Sequence, residues 1–235
     1  MKKSVCVATY NGAEFIVRQL DSVLKQFDHG DEVIVIDDCS KDNTIEIIKE
    51  AYGNRVQVHV NEKNLGAIKS FERAISFATG DILFLCDQDD IWEDNKVATV
   101  MKAFEEQRAD LVIHDAIVVN GNLTVMNPSW NDYNHNNINQ GIVGNIFKNA
   151  FTGAFMAFKK DLIPAILPFP AEIEMHDQWI ALVCMKKKKK IVFIQEPLMK
   201  YVRHGGNVTG IKKRPLSAQL KGRLKMIKAI AGYKR

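Results

Sequence analysis

Residues 80–92 read GDILFLCDQDDIW: five consecutive apolar residues at 82–86, then Asp87, Asp89 and Asp90 within four positions. The run has the length of a strand and is too short for a helix. It shows no polar alternation, so both of its faces must be buried. Strands of that kind belong to parallel sheets covered by helices. The three acids then fall at the carboxyl end of the strand, where open α/β sheets bind their ligands.

Working outward, residues 4–9 (SVCVAT), 32–37 (EVIVID) and 56–60 (VQVHV) repeat the pattern of a short buried strand. Between them apolar residues recur at helical spacing: Phe15, Leu20, Val23, Leu24 and Phe27, then Ile45, Ile47 and Ile48, then Ile68, Phe71 and Ile75. Asn43 with Glu46 has capping-box spacing, and Gly80 reads as a helix stop. A further helix is expected over 94–107 and a strand over 110–118. Residues 120–150 are rich in Asn and weak in periodicity, which predicts a long irregular insertion. Regular structure resumes with a strand over 153–158, a helix over 177–187 and a strand over 191–194. Alternation of this kind implies an α/β fold, a mostly parallel sheet flanked by helices.

The 235 residues are 46% hydrophobic and 26% charged, with 32 basic and 28 acidic side chains. This composition excludes a disordered or fibrous chain. Four scattered cysteines give neither a disulfide framework nor a zinc knuckle. The apolar run at 4–8 is shorter than a signal-peptide core, so a cytoplasmic protein is expected. Charge is unevenly placed: residues 211–235 hold nine Lys or Arg and no acid, leaving 23 basic against 28 acidic residues in 1–210. An acidic body argues against nucleic acid, and a basic tail suits an anionic surface. No GxGxxG follows the first strand and no GxxxxGK[ST] occurs anywhere. A bound diphosphate would therefore need another counter-charge, which clustered carboxylates supply by holding a hard divalent cation.

The strings ATYNGAEFI (8–16), VIDDCSKDNT (35–44), NLGAIKSFERAI (64–75), GDILFLCDQDDIW (80–92), TGAFMAF (152–158), HDQWI (176–180) and YVRHGGNVTG (201–210) occur in this order. The ordered set resembles the family 2 glycosyltransferases, nucleotide-diphospho-sugar enzymes of the GT-A (Rossmann-like) fold. CDQDDIW (86–92) further resembles a bacterial rhamnosyltransferase-like subgroup. The resemblance covers about residues 4–210. It implies a GT-A domain over 1–210 with an inserted acceptor loop, and the tail over 211–235, beyond the resemblance, reads from its own spacing as a basic amphipathic C-terminal helix.

The resemblance also implies roles. Thr9, Tyr10 and Glu14 would line the nucleotide, Asp38 would contact the base, and Asp37 would hold the loop. Asp87 would face the nucleotide, with Asp89, Asp90 and His204 around a Mn2+ or Mg2+ ion. Asp177 matches the family's catalytic base, although from spacing alone it reads equally as a helix N-cap. As a cap, Asp177→Asn would barely alter stability. His176 stands where many members carry an acid. Trp92, Trp179, Gly153, His176 and Arg203 would meet the sugar or diphosphate, core packing being the other reading for both tryptophans.

The function so implied is inverting, metal-dependent, non-processive transfer of a sugar from a UDP- or dTDP-linked donor to a glycan or lipid-linked acceptor of the cell surface. The QxxRW element of processive members is absent. A sugar-1-phosphate nucleotidyltransferase and a non-catalytic sugar-nucleotide or glycan-binding module are the alternatives. In the tail, Leu216, Leu220, Leu224, Ile227 and Ile230 recur at helical spacing among basic residues. Peripheral contact with the inner face of the plasma membrane and docking on the body are both open at this point.

Overall fold

The computed structural model describes residues 1–204 and 215–234. The chain runs β1 (Lys3–Thr9), α1 (Ile16–Leu24), β2 (Glu32–Asp37), α2 (Thr44–Tyr52), β3 (Gln57–Val60), α3 (Ala67–Phe77), β4 (Ile82–Asp87), β5 (Ile91–Trp92), α4 (Lys96–Glu106), β6 (Leu111–Asn120) and β7 (Val125–Asn127). It continues with α5 (Trp130–Tyr133), α6 (Gly141–Phe147), β8 (Met156–Lys159), α7 (Ile163–Ile166), α8 (His176–Lys186), β9 (Ile191–Arg203) and α9 (Leu216–Gly232). The strands form one sheet in the order β3-β2-β1-β4-β8-β6-β9-β5, with β7 added on β6. The first four are mutually parallel, as is the β6–β9 pair, while β8, β5 and β7 enter antiparallel. The longer ladders are the parallel ones, and helices flank the sheet, as the strand–helix alternation requires.

β1, β2 and β4 are buried on both faces because α1 and α3 cover them with Ile16, Leu20, Val23, Phe71, Ala74 and Ile75, all sealed from solvent. β3 is the sheet's edge strand and stays partly exposed, not the buried strand expected over 56–60. The chain progresses from β1 to β2 and β3 on one side, then crosses back to place β4 on the other. The order therefore reverses at β1, and the crevice at the carboxyl ends of β1 and β4 is the natural ligand position.

Four further local expectations are corrected. Asn43 precedes α2, but its side chain makes no capping bond. Asp42 does the work instead, accepting from the Thr44 and Ala13 amides at 3.2 Å each. Gly80 is not the helix stop, since α3 ends in an extended Ala78. It is glycine because a Cβ there would lie 2.9 Å from the Lys3 carbonyl carbon, where its amide meets Ser4 Oγ and Glu32. The 120–150 segment is ordered into β7, α5 and α6. Asp115 on β6 pins it, accepting from Ser129 Oγ at 2.5 Å and from the Asn131 amide at 3.2 Å. Elements of three to seven residues are too short to show a period. β9 also runs well past 194. Gln195, Glu196 and Pro197 interrupt its apolar pattern, and they fall at a register shift opposite Asp115.

α9 packs against α6 and α8 through Met226 and Ile230, both buried. Among the described residues no helix is long and apolar enough to cross a membrane.

Candidate functional site

The carboxyl ends of β1 and β4 are tied by Gln88, the residue between the two outer acids. Its Oε1 accepts from Thr9 Oγ1 at 2.7 Å and from the Tyr10 amide at 2.8 Å, and its Nε2 donates to the Tyr10 carbonyl. A Cβ on Gly12 would sit 2.5 Å from that Oε1 and 2.7 Å from Thr9 Oγ1, so any larger residue would push Gln88 out of this crossing. Asn11 follows β1 with φ +49°, and its side-chain oxygen accepts the Lys41 amide at 2.7 Å, joining this turn to the loop after β2. Thr9 is thus buried in the junction, while Tyr10 and Glu14 remain exposed around its mouth.

Asp37 and Asp38 divide differently from expectation. Asp37 holds its own loop through the Ser40 amide and hydroxyl, as expected of a structural acid. Asp38 is also engaged: its two oxygens accept from Asn61 Nδ2, the Leu65 amide and the Gly66 amide at 2.7–2.8 Å. Three donors occupy most of a carboxylate's acceptor capacity. The side chain assigned to the base therefore also fixes the 61–66 loop.

Around the acids, Asp89 Oδ2 lies 2.7 Å from His204 Nε2. The His204 ring stacks on Phe15 at 4.6 Å, Arg18 lies over Phe15, and Arg18 Nη2 donates to the Asp89 carbonyl at 2.9 Å. A closed ring of contacts fixes Asp89. Asp90 is fully buried. Its Oδ1 accepts the Val202 amide at 3.0 Å, and its Oδ2 has no partner. Burial and the neighbouring Asp89 and Asp87 push the Asp90 carboxyl well above the usual range. Burial, then Asp89 and Asp177, raise Asp87 to about 7. Beneath them lies Lys96, only 1% exposed, whose Nζ donates to the Ala154 carbonyl at 3.0 Å and sits 4.0 Å from the centre of a Trp92 ring. Burial pulls its pKa down to about 7, with Cys86, Asp90 and Asp87 opposing. Nothing in the sequence singles out Lys96, because a lysine opening a helix has the pattern of a solvated charge.

Asp177 is in the first turn of α8 and is not its cap, which is Met175. Its Oδ2 accepts the Gly153 amide at 3.0 Å, and its Oδ1 accepts Asn149 Nδ2 at 2.9 Å and the Gln178 amide at 2.6 Å. Burial raises it to about 6 against those three donors. The charge on Asp177 reaches Asp87. The two acids, 90 residues apart in sequence, thus belong to one electrostatic site. Gly153 opens a single 3-10 turn, Gly153–Phe155. A Cβ on it would lie 2.7 Å from His176 Nε2, a buried nitrogen without a partner. The His176 ring stacks on Phe71 at 4.3 Å, and burial lowers its pKa to about 4, so it is neutral.

Both tryptophans assigned to sugar stacking are core residues. Trp92 and Trp179 are each 1% exposed. Trp92 is packed by Phe27, Phe84 and Lys96, and Trp179 Nε1 donates to the Ile166 carbonyl. Neither offers a ring face to a ligand. Arg203 ends β9 beside His204, its guanidinium 6.0 Å from the Tyr201 ring centre.

Among the described residues, no three His, Cys, Asp or Glu side chains already converge as a metal-holding group. The donor chemistry nevertheless suits a hard divalent cation. Carboxylates and one imidazole meet at Asp89–His204, and the partnerless Asp90 Oδ2 is a buried oxygen with an unmet need.

Comparison with known proteins bears on the family and the fold. The family model described as Glycosyl transferase family 2 matches residues 4–167. An uncharacterized glycosyltransferase of Nostoc sp. is 24% identical over 216 residues, covering 88% of this chain and 66% of the relative, so the chain spans less than two thirds of that protein. The crystal structure of S. aureus TarS 1-349 in complex with UDP-GlcNAc superposes with a TM-score of 0.77 at 20% identity, over 100% of this chain and 68% of that one. The mannosyltransferase PcManGT from Pyrobaculum calidifontis, in complex with GDP-Man and Mn2+, gives a TM-score of 0.64 at 22% identity, over 97% and 62%.

Proposed function

The chain belongs to glycosyl transferase family 2, and from that premise we propose that it moves a sugar from a nucleoside-diphosphate donor to an acceptor hydroxyl in one inverting displacement. The observation that carries the reading is that Asp177 is buried, oriented by three donors, raised to about 6 and near enough to Asp87 at the end of β4 for its charge to act there. A base with a pKa near the working pH is both ionised and basic enough to accept a proton.

In this mechanism Asp177 takes the proton of the acceptor hydroxyl as that oxygen attacks the anomeric carbon. The bond from the anomeric carbon to the diphosphate oxygen breaks on the opposite face, and its electron pair leaves with the nucleoside diphosphate. A Mn2+ or Mg2+ ion held by Asp89 and His204, with Asp87 and Asp90 beside them, would neutralise charge on the diphosphate. Arg203, adjoining His204, supplies a second positive charge there. Thr9, Tyr10, Glu14 and Asp38 bound the nucleotide side, and Gly153 and His176 bound the sugar. The donor is UDP- or dTDP-linked and the acceptor a cell-surface glycan precursor that receives one sugar per encounter. CDQDDIW supports a rhamnosyltransferase-like member.

The test is release of nucleoside diphosphate from a panel of UDP- and dTDP-sugars with Mn2+ or Mg2+, with the anomeric configuration of the product read by NMR. Metal-stimulated release that vanishes in Asp177→Asn supports the reading. Donor binding without any turnover across the panel would leave a binding module instead.

A further inference from the structure

Both expectations for the basic tail, docking on the body and contact with a membrane, bear on one helix. α9 turns Met226 and Ile230 onto the body. It also holds a second apolar stripe outward: Leu216 is 75% exposed, Leu220 54%, Leu224 60% and Ile227 41%. The spacing of these four keeps them along one side of a helix. α6 extends the stripe. Its Val143 is 69% and Phe147 57% exposed, and Arg223 of α9 joins the two helices by donating to the Phe147 carbonyl at 3.1 Å and lying over its ring. α9 carries Lys221, Arg223, Lys225 and Lys228 and no acid. At its far end Lys186, Lys187, Lys189 and Lys234 gather around Tyr233. Six large apolar side chains rimmed by cations therefore form one face.

We propose that the α6–α9 face docks on an anionic phospholipid bilayer. The charge decides among occupants. A second copy seated face to face would set each cation of α9 against its own kind with no acid on that helix to answer it. An anionic bilayer answers every one of them and also accepts the leucines at its acyl boundary. The polar face of α6 looks the other way, toward the site: the Asn145 carbonyl accepts Gln178 Nε2, and Asn149, two residues past the helix, donates to Asp177. One short helix thus separates the lipid-facing side chains from the base. If the transfer reading holds, this geometry suits an acceptor anchored in the same bilayer. The docking itself does not depend on that reading.

The experiment is sedimentation of the full chain with phosphatidylglycerol–phosphatidylcholine vesicles and with pure phosphatidylcholine vesicles, without donor or acceptor. The chain should pellet with the anionic vesicles, stay in solution with the neutral ones, and be released by high salt. The double variant Leu220→Gln/Leu224→Gln keeps Met226 and Ile230 in place, so its melting temperature should match the parent while its partitioning falls roughly tenfold or more. Val143→Gln, on α6 alone, should weaken partitioning without touching α9. No pelleting of the parent on anionic vesicles would overturn the proposal, as would undiminished pelleting of the double variant. A parent dimer that the double variant converts to monomer, with no vesicle binding, would assign the face to self-association instead.

Discussion

Asp177 receives the Gly153 amide on one carboxylate oxygen, and Asn149 Nδ2 with the Gln178 amide on the other. Both oxygens act as acceptors, so an amide cannot replace the carboxylate without turning an N–H toward at least one N–H.

Asp177→Asn therefore tests more than proton transfer. The donor clash costs about 1–3 kcal/mol. Against this, the parent bears the cost of ionising a buried acid, because its folded pKa of about 6 exceeds the unfolded value near 4. A raised folded pKa contributes stability below the unfolded pKa, and that contribution is lost as pH rises through the folded one. The variant should be clearly less stable than the parent at pH 4 and draw level toward pH 7. Paired thermal melts across that range check this, and a pH-independent gap would contradict the burial of the charge. Turnover at neutral pH should fall by about 10²–10⁴-fold.

Activity should follow the same group. With Asp177 as base, kcat should fall about tenfold per pH unit below about pH 6 and level off above it. Asn149→Ala removes a donor to the ionised form, so the acid limb should move to higher pH. A limb unmoved by that change would separate Asp177 from the observed titration.

Gly153→Ala should be poorly tolerated. The added methyl meets His176 Nε2 at 2.7 Å, and that ring is stacked on Phe71 and cannot retreat freely. A loss of about 1–3 kcal/mol is expected, together with lower kcat as the amide that orients Asp177 shifts. Chemical denaturation and single-turnover rates measure the two effects separately. A variant as stable as the parent would mean the ring moves.

Donor binding should depend on a divalent cation. Calorimetry should show nucleoside-diphosphate affinity lost in EDTA and restored by Mn2+, and weakened in both Asp89→Ala and His204→Ala. Undiminished affinity in EDTA and in both variants would require another counter-charge.

Much of this was legible in the order of residues. Buried strands announce themselves as short apolar runs, and acids at a strand end mark where a ligand sits, so the sheet and Asp87 and Asp89 could be picked out, whereas Asp177, in the first turn of a helix, stood out only through the resemblance. Partnership across long separations could not. Gln88 bonds Thr9 at a separation of 79 residues and Asp90 bonds Val202 at 112, and no local pattern encodes either. Arg18 is known as a site residue only through the carbonyl it reaches. The tryptophans misled for a related reason: proximity to a motif says nothing about which way an indole turns, and both turn inward. Lys96 shows the converse, a charge that no local pattern singles out and that lies beneath the acids.

The strand order also sets a schedule for the chain's synthesis. β9 lies between β6 and β5, so β5 can join the sheet only after β9 has been laid down. Until residues 199–202 have been made, Ile91 and Trp92 lack their ladder, and the Asp90 carboxylate lacks the Val202 amide. A ribosome-bound nascent chain that ends before β9 carries the whole of the β1–β4 half yet leaves an acidic loop and a large indole without their native cover. Cover for the acids and for the indole then arrives together, with the last strand among the described residues.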